Sequence, residues 1–347
     1  MNKLTKVGLS ALCGSLATVS AANAGDMTVT GGVDMSWVSL GGGASETGNP
    51  IGIGSNLTFK GSGELDNGWT FDLTVAMLNQ DAYSTTAVNI DMGGLGSLNL
   101  NQGDSGNGID AYDDKMPTAW EEPWGNALGT GIKLVSGSGN SPNMQYKSPT
   151  IAGTTLTLAT APDDGAGKAN DKGSSGAGSG STGAAYDVTV NINPSAGTEI
   201  LSGLNLFVGG SMTENTVDTE NDLYEGVAGL TFALGPVSVG AMAQGVSTGQ
   251  EGATEVDYYK NHAYGVSFNI NDDLSVSYGY HESKQGHVNL TDVAKGNPTL
   301  DVESWQIAYT IGGASLRYAE TEVNNAAYQT TAAYDKDARV VSVSLAF

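Results

Sequence analysis

The sequence predicts an all-β protein, a 16-stranded antiparallel transmembrane β-barrel with one long loop folded inward. Three observations carry this. Apolar and polar residues alternate strictly over many short segments, while helical periodicity is almost absent. Sixteen such segments follow one another along the chain. The connections alternate too, tight turns at one end and long polar loops at the other, as in barrels that cross a membrane.

The strands are expected, in order, at 27–40, 51–64, 69–80, 84–93, 96–102, 142–148, 154–160, 184–193, 203–214, 222–233, 236–247, 258–270, 273–284, 301–311, 314–323 and 337–347. In the third, Trp69, Phe71, Leu73, Val75 and Met77 share one parity, and Thr70, Asp72, Thr74 and Ala76 the other. A period of two puts each set on one face of a strand. Val88, Ile90 and Met92 oppose Asn89 and Asp91 in the fourth. Tyr186, Val188, Val190 and Ile192 oppose Asp187, Thr189 and Asn191 in the eighth. Later, Leu274, Val276, Tyr278 and Tyr280 oppose Ser275, Ser277, Gly279 and His281, and Trp305, Ile307, Tyr309 and Ile311 oppose Gln306, Ala308 and Thr310. The last strand sets Val341, Val343, Leu345 and Phe347 against Ser342 and Ser344.

Tight-turn residues separate pairs of strands at Asp66-Asn67-Gly68, Gly93-Gly94-Leu95, Gly235-Pro236, Asn271-Asp272 and Gly312-Gly313. The long connections are 103–141, 161–183, 248–257, 285–300 and 324–336, and the short segments at 131–136 belong to the first of these. Residues 226–250 carry no charge and have the length of a membrane helix. Gly235-Pro236 near the centre, and the alternation of Val237, Val239 and Ala241 with Ser238, Gly240 and Met242, favour two strands instead.

The polar parity consists of Thr, Ser, Asn, Asp and Gly, which suits a wet lumen better than the packed core of a sandwich. Lipid cannot satisfy exposed backbone groups, so a spanning sheet must close. Trp37, Trp69, Tyr278, Tyr280, Tyr309 and Tyr318 have the apolar parity, which suits interfacial girdles. Parity places Asp34, Lys60, Glu64, Asp72, Asp91, Lys147, Asp187, Glu225 and Arg317 on the lumen face, and Arg339 on the apolar face, snorkelling at the interface.

Composition limits the function classes. The formal charge is −23, from 37 acids against 14 bases, which excludes a nucleic-acid partner that would need clustered cations. The one Cys, Cys13, allows no internal disulfide and no multi-Cys zinc site, and His262, His281 and His287 lack metal-ligand spacing. Residues 1–24 read as a secretory signal. Lys3 and Lys6 form the positive region, Val7 to Val19 the apolar one, and Ala22-Asn23-Ala24 the cleavage site. Its removal takes two lysines and no acid, leaving −25 on residues 25–347.

Gly178 to Gly183 matches G-x-G-x-x-G, but it lies in a Gly/Ser-rich run before a strand, so a loop is the better reading. There is no P-loop, and nothing pairs a His with a Ser nucleophile, so no catalytic site is expected. The informative segment is 103–141. It holds Asp104, Asp110, Asp113, Asp114, Glu121 and Glu122, with Lys115 the only base before Lys133. Such a run is either a solvated surface loop or a loop that narrows the lumen. Its length, and Trp120 and Trp124 with Pro117 and Pro123 nearby, favour the second. Lys60, Lys147 and Arg317 are the wall bases expected to face it. No cofactor is expected. Weak Ca²⁺ binding by the acidic loop is a minor alternative, without EF-hand spacing.

The segment Asn143-Met144-Gln145-Tyr146-Lys147-Ser148-Pro149, followed by Gly153 and the strand Thr154–Thr160, resembles the unit after the constriction loop of Gram-negative trimeric porins. The terminal strand ending in Phe347 is similar to that family's barrel-assembly signal, and Gly32-Val33-Asp34 and Phe59-Lys60-Gly61 are porin-like. The resemblance implies an outer-membrane homotrimer of separate pores, with 103–141 as the eyelet and small hydrophilic solutes and ions diffusing passively. It also implies several arginines opposite the acidic loop, whereas this chain has only Arg317 and Arg339. The acids then predict cation preference. The alternatives are a substrate-specific porin for a sugar or organic solute, with Tyr112, Trp120 and Trp124 as a stacking surface, an outer-membrane barrel enzyme, and a secreted acidic β protein used for adhesion.

Overall fold

A computed structural model describes residues 24–43, 49–79, 81–103, 106–125, 128–164, 182–194, 201–252, 255–287 and 297–347. The expected signal, apart from Ala24, lies outside these residues. Sixteen strands, each hydrogen-bonded to its chain neighbours, form one closed antiparallel barrel in which β1 pairs with β16. They are β1 Ala24–Gly42, β2 Ile51–Glu64, β3 Thr70–Leu78, β4 Asp81–Asp91, β5 Ser97–Asn101, β6 Asn143–Lys147, β7 Thr154–Ala161, β8 Thr182–Ile192, β9 Leu204–Asn215, β10 Leu223–Leu234, β11 Val237–Ser247, β12 Val256–Asn269, β13 Leu274–His287, β14 Thr299–Ile311, β15 Ala314–Asn324 and β16 Lys336–Ala346. Every segment expected from the alternation is a strand, and ends shift by at most three residues where a strand runs on into a loop.

The two parities separate as the physics of closure requires. Large apolar side chains such as Ile53, Val208, Trp305 and Leu316 point outward and are exposed, while Asp187, Thr189, Ser277, Gln306 and Ser342 point inward and are buried. A water-soluble sheet would show the reverse, so the outside of this barrel is built to meet lipid. Tyr278 and Trp305 pack together on that outer face, with ring centroids 4.5 Å apart. Arg339 is also outward and pairs across the strands with Glu320 at 2.8 Å, instead of reaching out alone.

The charge-free stretch forms β10 and β11. Gly235 has φ +58°, and with Pro236 it makes the two-residue turn between them. A helix would need this backbone in the right-handed region, and Pro236 could not donate to it.

The seam is fixed from both sides. Asp34 faces Ser344 across β1 and β16. Its carboxylate accepts from Ser342 Oγ at 2.5 Å and from Arg317 Nη1 at 3.1 Å inside the lumen. Phe347 N donates to Gly31 O at 3.0 Å, and Gly31 N to Phe347 O at 3.2 Å, so the terminal residue continues the ladder.

Candidate functional site

The connection between β5 and β6 turns into the barrel and runs along the inner wall from β8 to β14. Each stretch is held by polar side chains that parity sends inward. At its start, Asn107 Nδ2 donates to Asn99 Oδ1 (2.9 Å) and Asn143 Oδ1 (2.6 Å), and Gly108 N donates to Gln145 Oε1 at 2.8 Å. A short 3-10 turn, Gly108–Tyr112, then buries Ile109 completely. Tyr112 stacks on Phe207 with ring centroids 5.1 Å apart.

Asp187 on β8 gathers both ends of the loop. It accepts from Ile109 N (3.1 Å), Ser138 N (3.1 Å) and Ser138 Oγ (2.8 Å), and from Ser211 Oγ of the wall (2.6 Å). Gly108 has φ +62°, and a Cβ there would lie 1.8 Å from Asp187 Oδ2, so both the backbone and the close approach require glycine. Two strands on, on β10, Glu225 Oε2 accepts from Ser136 N and Gly137 N at 2.8 and 2.7 Å.

The middle of the loop crosses to β13 and β14. Ala119 N donates to Ser277 Oγ (2.8 Å), and Trp120 N and Glu121 N to Gln306 Oε1 (3.1 and 3.0 Å). Gln306 Nε2 returns a bond to Glu121 O at 2.6 Å. Pro123 lies over Gly279, and Trp124 meets His281 edge-on at 4.9 Å. On the way back, Asn261 Nδ2 donates to Lys133 O (2.8 Å) and Lys133 N to Tyr328 Oη (3.0 Å). Burial of Tyr328 raises its hydroxyl pKa.

The acids are not equivalent. Asp110 is buried beside Gly139 of the same loop and accepts from Gly106 N, so the loop folds over it; burial raises its pKa. Asp113 is pushed up to about 8, by burial first and then by the carboxylates of Asp114, Asp110 and Glu122. Glu122 rises to about 7 through burial and the charges of Asp114 and Glu121. Burial also raises Glu121, against the pull of Arg317. Asp114 lies 4.0 Å from Lys115. Asp104 lies outside the described residues. Among the described residues, no group of three or more His, Cys, Asp or Glu side chains is arranged to hold a metal ion.

Of the three wall bases, Arg317 comes to the loop, with its guanidinium 5.8 Å from the Trp120 ring centroid. Lys147 lines a cavity beneath the Gly108–Tyr112 turn. Lys60 sits on β2 between Thr28 and Thr74, and among the described residues it makes no ion pair with the loop. Tyr112 and Trp124 are committed to wall packing, which leaves Trp120 from the expected stacking surface. Gln244 Nε2 donates to Asp113 O at 2.9 Å, and the docking residues Asp187, Glu225, Gln244, Asn261, Ser277 and Gln306 are visible in the sequence only as inward polar positions. The amides among Ser and Thr, and glycines at inward positions such as Gly265 and Gly279, were the available signal.

A sequence model of the Gram-negative porin family matches residues 8–313. No curated protein sequence matches significantly. Solved structures do. The OmpF of Salmonella typhi in complex with daunomycin is 13% identical with a TM-score of 0.66, covering 92% of this chain and 97% of that one. An anion-selective porin from Comamonas acidovorans is 14% identical with a TM-score of 0.60, covering 93% and 99%. The trimer form of Vibrio cholerae OmpT is 9% identical with a TM-score of 0.63, covering 93% and 99%. At such identities the likeness concerns the fold, and the family match extends over most of the sequence. The chain belongs to the Gram-negative porin family.

Proposed function

We propose that this outer-membrane channel passes small hydrophilic solutes and ions down their gradients and prefers cations. The observation that carries the preference is the loop rim, where the carboxyls of Asp113, Asp114, Glu121 and Glu122 outnumber the two nearby cations, Lys115 and Arg317, and gain charge as Glu122 and Asp113 lose their protons at about pH 7 and 8. Low-dielectric walls focus such a field and enrich counter-ions in the opening. The Comamonas relative has the same fold and is anion-selective, so the fold does not set the sign; the rim charges do. The test is the reversal potential of purified protein in a planar bilayer under a KCl gradient. A sign favouring K⁺ is expected, and one favouring Cl⁻ would refute the reading.

Assembly as a homotrimer belongs to the same proposal. β5 and β6 have five residues each. At ~3.3 Å per residue they rise about 17 Å, less than the apolar band of about 25 Å on such barrels. A neighbouring copy would cover this low wall. A detergent-resistant oligomer three times the monomer mass is expected by light scattering, and a monomeric barrel would refute the assembly.

A further inference from the structure

We propose that the cavity beneath the Gly108–Tyr112 turn is a binding subsite for a small hydroxylated carboxylate, of about the size of a sugar acid. The inference rests on the channel reading and adds a solute to it. The cavity measures about 310 Å³ and lies between the loop and the turn ends of β6 to β9. Lys115 from the loop and Lys147 from β6 both line it. Its lining contains no Asp or Glu, although acids outnumber bases 37 to 14 in the chain. Lys147 makes no ion pair among the described residues, and Lys115 has the 4.0 Å approach to Asp114 and the more distant charge of Asp110. Two ammonium groups, one from the loop and one from the wall, facing a lining without acids form a local anion site inside an otherwise acidic channel.

The remaining lining specifies more than charge. Thr155, Thr157, Thr189 and Asn205 face the same space. Thr189 is 1% exposed, yet its Oγ1 has no hydrogen-bond partner, and Asn205 Oδ1 is likewise buried and unpartnered. Buried polar atoms left unpaired are costly, so an orphaned acceptor beside a cavity points to a group that completes it. An amide oxygen can only accept, so its partner must donate. A carboxylate held between the two lysines, with a hydroxyl on a neighbouring carbon, supplies the anion for Lys115 and Lys147 and the donor for Asn205. The volume exceeds what a bare inorganic anion fills, and it accommodates a short carbon chain.

The test uses the full protein in planar bilayers, with gluconate added on the turn side over constant KCl. A saturable reduction of the K⁺ current is expected. Sorbitol, which has the hydroxyls without the charge, and propionate, which has the carboxylate without the hydroxyls, should each need at least about tenfold more for half-block. K147Q and K115Q should each raise the half-blocking gluconate concentration about tenfold, and the conductance of each variant reports that its barrel has formed. T189V should weaken gluconate more than propionate. A current that falls only linearly with gluconate, block unchanged in both lysine variants, or inorganic phosphate blocking at lower concentration than gluconate would each overturn the proposal. Absence of any conductance in the parent protein would instead remove the channel reading beneath it.

Discussion

Replacing Asp187 by Asn tests whether the loop is held where it lies. Three donors from the loop converge on this carboxylate: Ile109 N, Ser138 N and Ser138 Oγ. Asparagine has nearly the same shape, but it turns one acceptor into a donor aimed at backbone N–H groups. Hydrogen bonds to a charged group contribute about 1.5–3 kcal/mol each, and a buried donor left unpaired costs a similar amount. The bonds share one acceptor group and do not add, so a loss of ~3–4 kcal/mol of docking free energy is expected from three of them. At about 1.4 kcal/mol per tenfold, the undocked population rises ~10²- to 10³-fold. In single-channel recordings D187N should show larger and noisier steps than the parent. Trypsin should cut at Lys115 or Lys133 in D187N at concentrations that leave the parent intact. S211A removes only the bond from the wall and should behave like the parent. A D187N barrel that is heat-modifiable on gels, with parental conductance and parental trypsin resistance, would refute this account of docking.

Three further outcomes are expected. The docked loop keeps protons on Asp113 and Glu122 up to about pH 8 and 7, where the ordinary values are 3.8 and 4.5. Protons are therefore lost from the docked form as pH rises through that window, so docking weakens and the rim becomes more negative. The K⁺/Cl⁻ permeability ratio should rise from pH 6 to pH 9 in the parent and stay nearly flat in a D113N/E122Q double variant; a parental ratio that falls would contradict the shifts. R317Q removes the guanidinium closest to the rim and should increase K⁺ preference in the same recordings; an unchanged ratio would contradict the pull of Arg317 on Glu121. In G265A the new Cβ would lie 2.9 Å from Pro117 O and 3.0 Å from Met116 Cβ. Overpacking of this kind costs about 1–3 kcal/mol, so trypsin sensitivity of the loop should increase; parental resistance would mean that the wall gives way there.

The barrel was legible because lipid on one side and water on the other impose a period of two that no packed core would sustain. Trp305 and Gln306 show it within a single dipeptide, one fully outward and the other buried under the loop. The inward course of 103–141 was legible from its length and its aromatic and proline residues. The roles of individual loop acids were not. Asp110 and Asp113 are three residues apart in one acidic run, yet one is enclosed between Gly106 and Gly139 of its own loop and the other shares the rim with Asp114 and Glu122. That difference follows from the 3-10 turn at Gly108–Tyr112 and from Asp187, which is 78 residues from Ile109 in the chain. Parity placed Lys147 on the inner face, but only the fold brings it beside Lys115.

The seam between β1 and β16 has a consequence for biogenesis. Arg317 and Asp34 are 283 residues apart, and they meet only when the first strand closes on the last. Contacts of such sequence separation form late, because the whole intervening chain must be ordered first. Arg317 also lies over Trp120 of the loop. The countercharge at the opening is thus locked in place by the same event that eliminates the free edges of the sheet. An unclosed barrel would present its raw strand edges together with an untethered arginine, so a half-assembled molecule would leak without the discrimination of the finished one.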